Sequence, residues 1–213
     1  MTKLTGQQIA DVGLTGWANL LGGLQTRIAT GDFATGLAVV NSIGAAAEGM
    51  NHHPDIALRY GHVDVRLTSH DEQGITGRDV RLAGAINGIV AEAGLELSSA
   101  GVSRTELGLD SPAYEALLPF WQAVLGTTSG ADDEVRDSAD GFPTIWFQRS
   151  GSDEPRQHWH WDVWVEPDQV QPRIDAALAA GGTLVSDDEA PSFWVLADAE
   201  GNKICLCTWQ GRG

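Results

Sequence analysis

The sequence predicts an α+β protein in two domains, and three observations carry that expectation. In the first half, helical periodicity alternates with strands that have one polar face, the pattern of an antiparallel sheet covered by helices. In the second half a strand, a helix and further strands occur twice in succession, which predicts paired β-α-β-β-β modules that need each other to bury their sheet faces. The chain has 213 residues, enough for two cores of about 100 residues each. At 42% hydrophobic and 20% charged residues it has the composition of a folding globular protein.

The elements follow in order. FATGLAVVNSIGAAAEGM places Phe33, Gly36, Val40, Ile43, Ala47 and Met50 at spacings of three and four, one face of a helix. Its small residues Gly36 and Ala47 allow close approach to a sheet. In HVDVRLTSH, Val63, Val65, Leu67 and Ser69 alternate with His62, Asp64, Arg66, Thr68 and His70, the period of a half-buried strand. A second helix starts at Thr76, whose hydroxyl caps it with Asp79 three residues later, and ends near Gly94. The small and polar run LSSAGVSR, residues 97–104, marks a domain boundary, giving domains 1–98 and 104–213. Beyond it TELGLD reads as a strand, SPAYEALLPFWQAVLG as a helix ending at Gly126, then an acidic loop and the strand TIWFQRS. The order recurs as the strand HWHWDVWVE, the helix DQVQPRIDAALAAGG, and the strands TLVS, SFWVLAD and KICLCTW.

Charge and composition exclude several function classes. The net charge is −16, with 6 basic and 10 acidic residues to position 100 and 7 and 19 after it, and no basic cluster exists to meet a phosphate backbone or an anionic lipid surface. Neither nucleic acid nor membrane is therefore an expected partner. No apolar run approaches the ~20 residues of a membrane span and the start lacks a signal peptide's pattern, so a cytoplasmic location is expected. Cys205 and Cys207 alternate with apolar residues, which suits one face of a buried strand rather than a disulfide framework.

The chemistry concentrates in EGMNHHPDI, residues 48–56, and in His70. Histidine exchanges protons near neutral pH, and Glu48 stands four residues before His52, on the same face if the helix continues. Pro54 disfavours helical geometry at His53, so the chain is expected to leave the helix between the two histidines, letting both rings reach one cleft. His70 is expected from the end of the following strand, on its polar face. Zinc is a rival reading, but two adjacent imidazoles rarely fit one tetrahedral site and no cysteine is near in sequence.

Together, E-x-x-x-H-H-P, an alternating strand ending in T-S-H, and G-I-T-x-x-D-x-x-L-A resemble the pterin-4a-carbinolamine dehydratases over residues 1–96. The resemblance implies an α+β domain without metal or organic cofactor that removes water from a 4a-hydroxytetrahydropterin to give the quinonoid dihydropterin. It implies His52, His53, His70 and Glu48 as the catalytic set, and Pro54, Ser69, Asp71, Glu72 and Asp79 as substrate-binding positions. A homo-oligomer acting on a small pterin is the expected assembly. One departure stands out: many members have an aromatic residue two positions after the proline, where this chain has Ile56, with Tyr60 the nearest aromatic.

In the second half WHWDVWVE, the AALAAGG helix end and LADAEGNKICLC resemble the glyoxalase-like members of the vicinal oxygen chelate superfamily over residues 104–210. Metal-dependent members use a glutamate near the end of the last strand. Cys205 stands there, with Lys203 nearby, leaving Glu106 and His160 as candidate donors. That incomplete set is read as a metal-free pocket, with tryptophan walls suited to a flat ligand. The alternatives are a non-catalytic ligand-binding or oligomerisation protein, and metal-dependent chemistry in the second domain.

Overall fold

The structure is a computed structural model that describes residues 2–125, 127, 133–137, 142–149, 159–197, 199, 201 and 203–212. By internal contacts the chain divides into two units. The first is Met1–Ser103 with Val165–Gln169 and Thr208–Gly213; the second is Arg104–Trp164 with Val170–Cys207. Both are mixed α and β. Among the described residues no helix is long and apolar enough to cross a membrane.

The first unit runs α1 (Gly6–Val12), β1 (Ala18–Leu20), β2 (Gly23–Ala29), α2 (Phe33–Met50), β3 (Asp55–Leu58), β4 (His62–Leu67), α3 (Gly77–Glu92) and β5 (Glu96–Ser98). Its sheet has the order β1-β2-β4-β3, with β5 also pairing β2, and every pairing is antiparallel. Helix α1 adds to the sequence reading. Its signal is T-x-x-Q: Thr5 caps Gln8 N while the Gln8 side chain accepts from Thr5 N.

Helix α2 has the expected bounds, but its buried stripe is Gly36, Val39, Ile43 and Ala47. Val40 lies beside that stripe, and Phe33 and Met50 are about half exposed. A stripe spaced three, four, four keeps to one side of a 3.6-residue helix, whereas the expected run from Phe33 to Met50 drifts round it. The close approach at Gly36 is real. A Cβ there would lie 2.7 Å from Leu58 Cδ1 and 3.3 Å from Thr30 Oγ1, so glycine lets the helix lie against β3 without displacing those side chains.

Strand β4 follows the predicted alternation through Val63, Val65 and Leu67, all buried, but ends at Leu67. Helix α3 starts as expected at the Thr76 cap with Asp79 completing the capping box, and Gly94 follows its end at φ 67°. Ile28, Ile43, Leu82 and Ile86 centre the core between the helices and the sheet. Burying each such side chain contributes ~1.5–3 kcal/mol.

The second unit runs β6 (Arg104–Ser111), α4 (Leu118–Leu125), β7 (Glu134–Val135), β8 (Thr144–Arg149), β9 (Trp159–Trp164), α5 (Val170–Ala179), β10 (Thr183–Ser186), β11 (Phe193–Ala197) and β12 (Lys203–Cys207). They form one mixed sheet in the order β10-β11-β12-β9-β6-β8-β7. The duplication is visible in the pairings. β6 pairs β8 in parallel and β8 continues antiparallel to β7; β9 pairs β12 in parallel and β12 continues antiparallel to β11, then β10. The two halves meet at the antiparallel β6–β9 pair. In the first module the chain position matching β10 precedes β7, where residues 128–132 lie outside the described residues. So do much of the expected acidic loop, Gly126, His158, and Asp198, Glu200 and Asn202 of the DAEGN run.

Candidate active site

Helix α2 ends at Met50 because Asn51 adopts the left-handed conformation, φ 47° and ψ 46°, and its N–H bonds back to Ala47 and Glu48 carbonyls. Asparagine tolerates that region better than most residues. Both histidines therefore lie beyond the helix, and the exit comes before His52 rather than between His52 and His53. Pro54 then leads into β3.

This exit changes the expected pairing. Glu48 does not meet His52; its Oε1 accepts from His53 Nε2 at 3.1 Å, with both side chains largely exposed. His52 turns inward and is only 8% exposed. Its Nε2 donates to Asp79 Oδ1 at 2.7 Å. A neutral ring bonded this way carries its proton on Nε2 and leaves the Nδ1 lone pair open.

Asp79 is fully buried at the start of α3. Its Oδ2 accepts from Thr76 N (2.7 Å) and Ser69 Oγ (2.7 Å), and the single Thr76 hydroxyl proton is shared between Oδ2 (3.2 Å) and Ser69 Oγ (2.8 Å). One carboxylate thus satisfies the helix cap, fixes the His52 ring and ties down the residue preceding His70. Ser69 and Asp79, expected as substrate-binding positions, are both buried, and their side-chain oxygens are engaged in these bonds. Thr76 belongs to the same network. The sequence marks Thr76 as a helix cap, and the same capping box is the local signal for its place in this network.

His70 opens a short 3-10 turn, His70–Glu72, rather than closing β4. The strand ends earlier because Ser69 pairs with Gly74 across the turn, Ser69 N donating to Gly74 O at 2.9 Å and Gly74 N to Ser69 O at 3.3 Å. His70 is exposed on this turn, beside exposed Asp71 and partly buried Glu72. Asp71 forms an ion pair with Arg78 on α3, and that hydrogen bond holds its carboxyl below the usual range. Arg78→Gln should raise the Asp71 titration midpoint toward the ordinary value. Carbon-detected NMR of the side-chain carboxyl would read the change, and an unmoved midpoint would contradict it. Ile56 packs partly buried against the first core and Tyr60 is 75% exposed, so neither replaces the expected aromatic as a fixed wall.

In the second unit Glu106, one of the two expected donors, accepts from Trp164 Nε1 at 2.9 Å, and burial pushes its pKa up. His160 Nδ1 lies 3.2 Å from Asp162 Oδ1, and that hydrogen bond raises the imidazole's pKa. Cys205 is partly buried, Cys207 is buried, and neither is in a disulfide; Lys203 is exposed at the start of β12. The tryptophans divide between packing and solvent. Trp159 meets Trp121 edge to face at 5.4 Å under α4, while Trp161, on the same strand face, is 56% exposed. A cavity of about 330 Å³ between α5 and β11–β12 is lined by Arg173, Ala177, Leu196, Ile204 and Leu206, and no tryptophan lines it.

Comparison with known proteins finds a separate match for each half of the chain. The family model described as pterin 4 alpha carbinolamine dehydratase matches residues 2–89, and that described as glyoxalase-like domain matches residues 106–207. A Koribacter versatilis protein provisionally named pterin-4-alpha-carbinolamine dehydratase is 40% identical over 82 residues, 38% of this chain and 87% of that protein. One of the same name from Mycobacterium avium is 41% identical over 92 residues, covering 42% and 98%. A solved structure, a transcriptional coactivator/pterin dehydratase from Brucella melitensis, is 28% identical over 41% of this chain and 98% of its own, with a TM-score of 0.40.

Proposed function

The chain belongs to the pterin 4 alpha carbinolamine dehydratase family through its first half, and from that premise we propose that this half dehydrates a 4a-hydroxytetrahydropterin to the quinonoid dihydropterin. The carrying observation is Asp79. Its Oδ1 fixes His52 and its Oδ2 holds Ser69, the neighbour of His70, so one buried carboxylate braces both the HHP segment and the His70 turn.

Loss of water from the carbinolamine needs a proton removed from a ring nitrogen and a proton delivered to the departing hydroxyl. His52, with its proton held on Nε2 by Asp79, offers Nδ1 as the base. The acid role falls to His53 or His70, both exposed. Glu48 orients His53 through the 3.1 Å bond. Pro54, Asp71 and Glu72 line the approach; Ser69 and Asp79 act through the groups they hold. No metal or organic cofactor enters this scheme. The reaction is carried out as a homo-oligomer in the cytoplasm, and the glyoxalase-like half contributes a separate function.

The test is the absorbance change as a freshly generated 4a-hydroxytetrahydropterin breaks down, with full-length protein and single variants. His70→Ala should slow turnover by roughly 10²-fold or more while changing stability by less than about 0.5 kcal/mol, since the side chain is exposed. His53→Ala run in parallel identifies which of the two supplies the acid. Wild-type rates in both would remove exposed imidazole acid catalysis from the scheme, and no turnover by the unaltered chain would remove the dehydratase reading.

A further inference from the structure

We propose that the glyoxalase-like half binds a small aliphatic monocarboxylate in the cavity between α5 and strands β11 and β12, with Arg173 holding the carboxylate. The cavity lies wholly within the second unit, so the assignment is independent of the dehydratase reading. It is also not the tryptophan-walled pocket that the sequence suggests, and it lies on the other side of the sheet from Cys205. Leu196 pairs with Ile204 across β11 and β12, and Leu206 stands two residues further on, so these three side chains share one face while Cys205, between the last two, points to the opposite one.

The space follows from side-chain size. Ile174 on α5 is buried, but Arg173, Ala177 and Ala180 recur at spacings of four and three, a helical stripe that carries only methyl groups after the arginine and runs into Gly181 and Gly182. About 330 Å³ is left unfilled over the apolar sheet face. Protein interiors rarely keep voids larger than a water molecule, whereas small-molecule sites begin at roughly 300 Å³. Beside the cavity, Trp161 on β9 stands opposite Ile204 and is 56% exposed, so the apolar surface continues past the lining residues.

The charge at one end selects the ligand. Arg173 is the only lining residue with a polar side chain, and among the described residues no ion pair or hydrogen bond engages its guanidinium. The positions three and four residues away, Gln169, Val170, Ala176 and Ala177, carry no carboxylate, and Asp175 accepts instead from Gln171 Nε2 at 2.8 Å. A guanidinium pairs with a carboxylate through two parallel hydrogen bonds. With the anion held there, an alkyl chain lies along Ala177 toward Gly181 and Gly182, over Leu196, Ile204 and Leu206. A cation would be repelled by Arg173, and a neutral polar body would meet no other polar side chain.

Isothermal titration of the full-length protein with butyrate, hexanoate and octanoate tests the assignment. Affinity should rise about fourfold for each methylene added, and octylamine should bind at least about 10-fold more weakly than octanoate. Arg173→Gln should weaken octanoate by about 10-fold or more and leave neutral 1-octanol unchanged. Ala177→Leu, which fills the cavity from the helix side, should weaken both by about 10-fold or more, with circular dichroism matching the parent. Arg173 lies on the helix surface, so its variant keeps the test decisive if Ala177→Leu does not fold. No octanoate binding at millimolar ligand, affinity independent of chain length, equal binding of octylamine, or octanoate binding undiminished in either folded variant would each overturn the proposal.

Discussion

His52→Gln should abolish most of the dehydration activity, lowering the rate by about 10²–10⁴-fold, while leaving the fold stable to within about 1 kcal/mol. The glutamine amide reaches far enough to donate to Asp79 Oδ1 in place of the ring, so the buried carboxylate keeps its partner, but an amide cannot take up a proton at neutral pH. His52→Ala is a poorer probe. The sequence sets His52 on a helix face with Glu48; the structure instead shows it 8% exposed against a fully buried acid. Alanine would leave Asp79 Oδ1 without a donor, and an unsatisfied buried acceptor costs about 1–3 kcal/mol. Comparing the two variants by turnover and by chemical denaturation separates chemistry from support. A His52→Gln variant with near-normal turnover would exclude this imidazole as the base.

Asp79→Ala should have the largest effect on stability, roughly 2–5 kcal/mol from two orphaned buried donors. Those donors are Thr76 N at the cap of α3 and His52 Nε2; the Ser69 and Thr76 hydroxyls still have each other. Denaturant unfolding would measure the loss, and a change below about 0.5 kcal/mol, typical of surface positions, would contradict it. Asp79→Asn distinguishes positioning from bulk structure. It keeps the size of the side chain but turns an amide donor toward groups that themselves donate, so the His52 ring loses its fixed tautomer. On the proposed function, in which Asp79 acts through His52, the expected signature is a kcat that falls more than KM rises. A variant changed only in KM would restore Asp79 to the substrate contacts.

Much of this molecule is legible in the sequence because the relevant signals are local. The 18 residues of α2, the Thr76–Asp79 capping box and the alternation along β4 are all set by spacing within one element. So was the recurrence that appears as matching parallel pairs, β6 with β8 and β9 with β12. The candidate site residues lie in short motifs that the sequence displays directly, the HHP run, T-S-H and G-I-T-x-x-D. Their partners were less legible. Asn51 ends α2 through a positive φ at a residue that is neither glycine nor proline, and that single dihedral sends Glu48 to His53 instead of His52.

The sequence by itself determined the α+β class, the family of the first half and the identity of its histidines. Tertiary structure alone decided what those side chains meet. Asp79 lies 27 residues from His52 and becomes its support only when α3 packs beside the α2 exit. Arg173 and Ala177 come to share one cavity with Leu196, Ile204 and Leu206 only when α5 packs over β11 and β12. The physical reason is common to both cases. Periodicity fixes which residues share a face of one element, but contacts between elements depend on register, chain exits and packing depth, which no local spacing records.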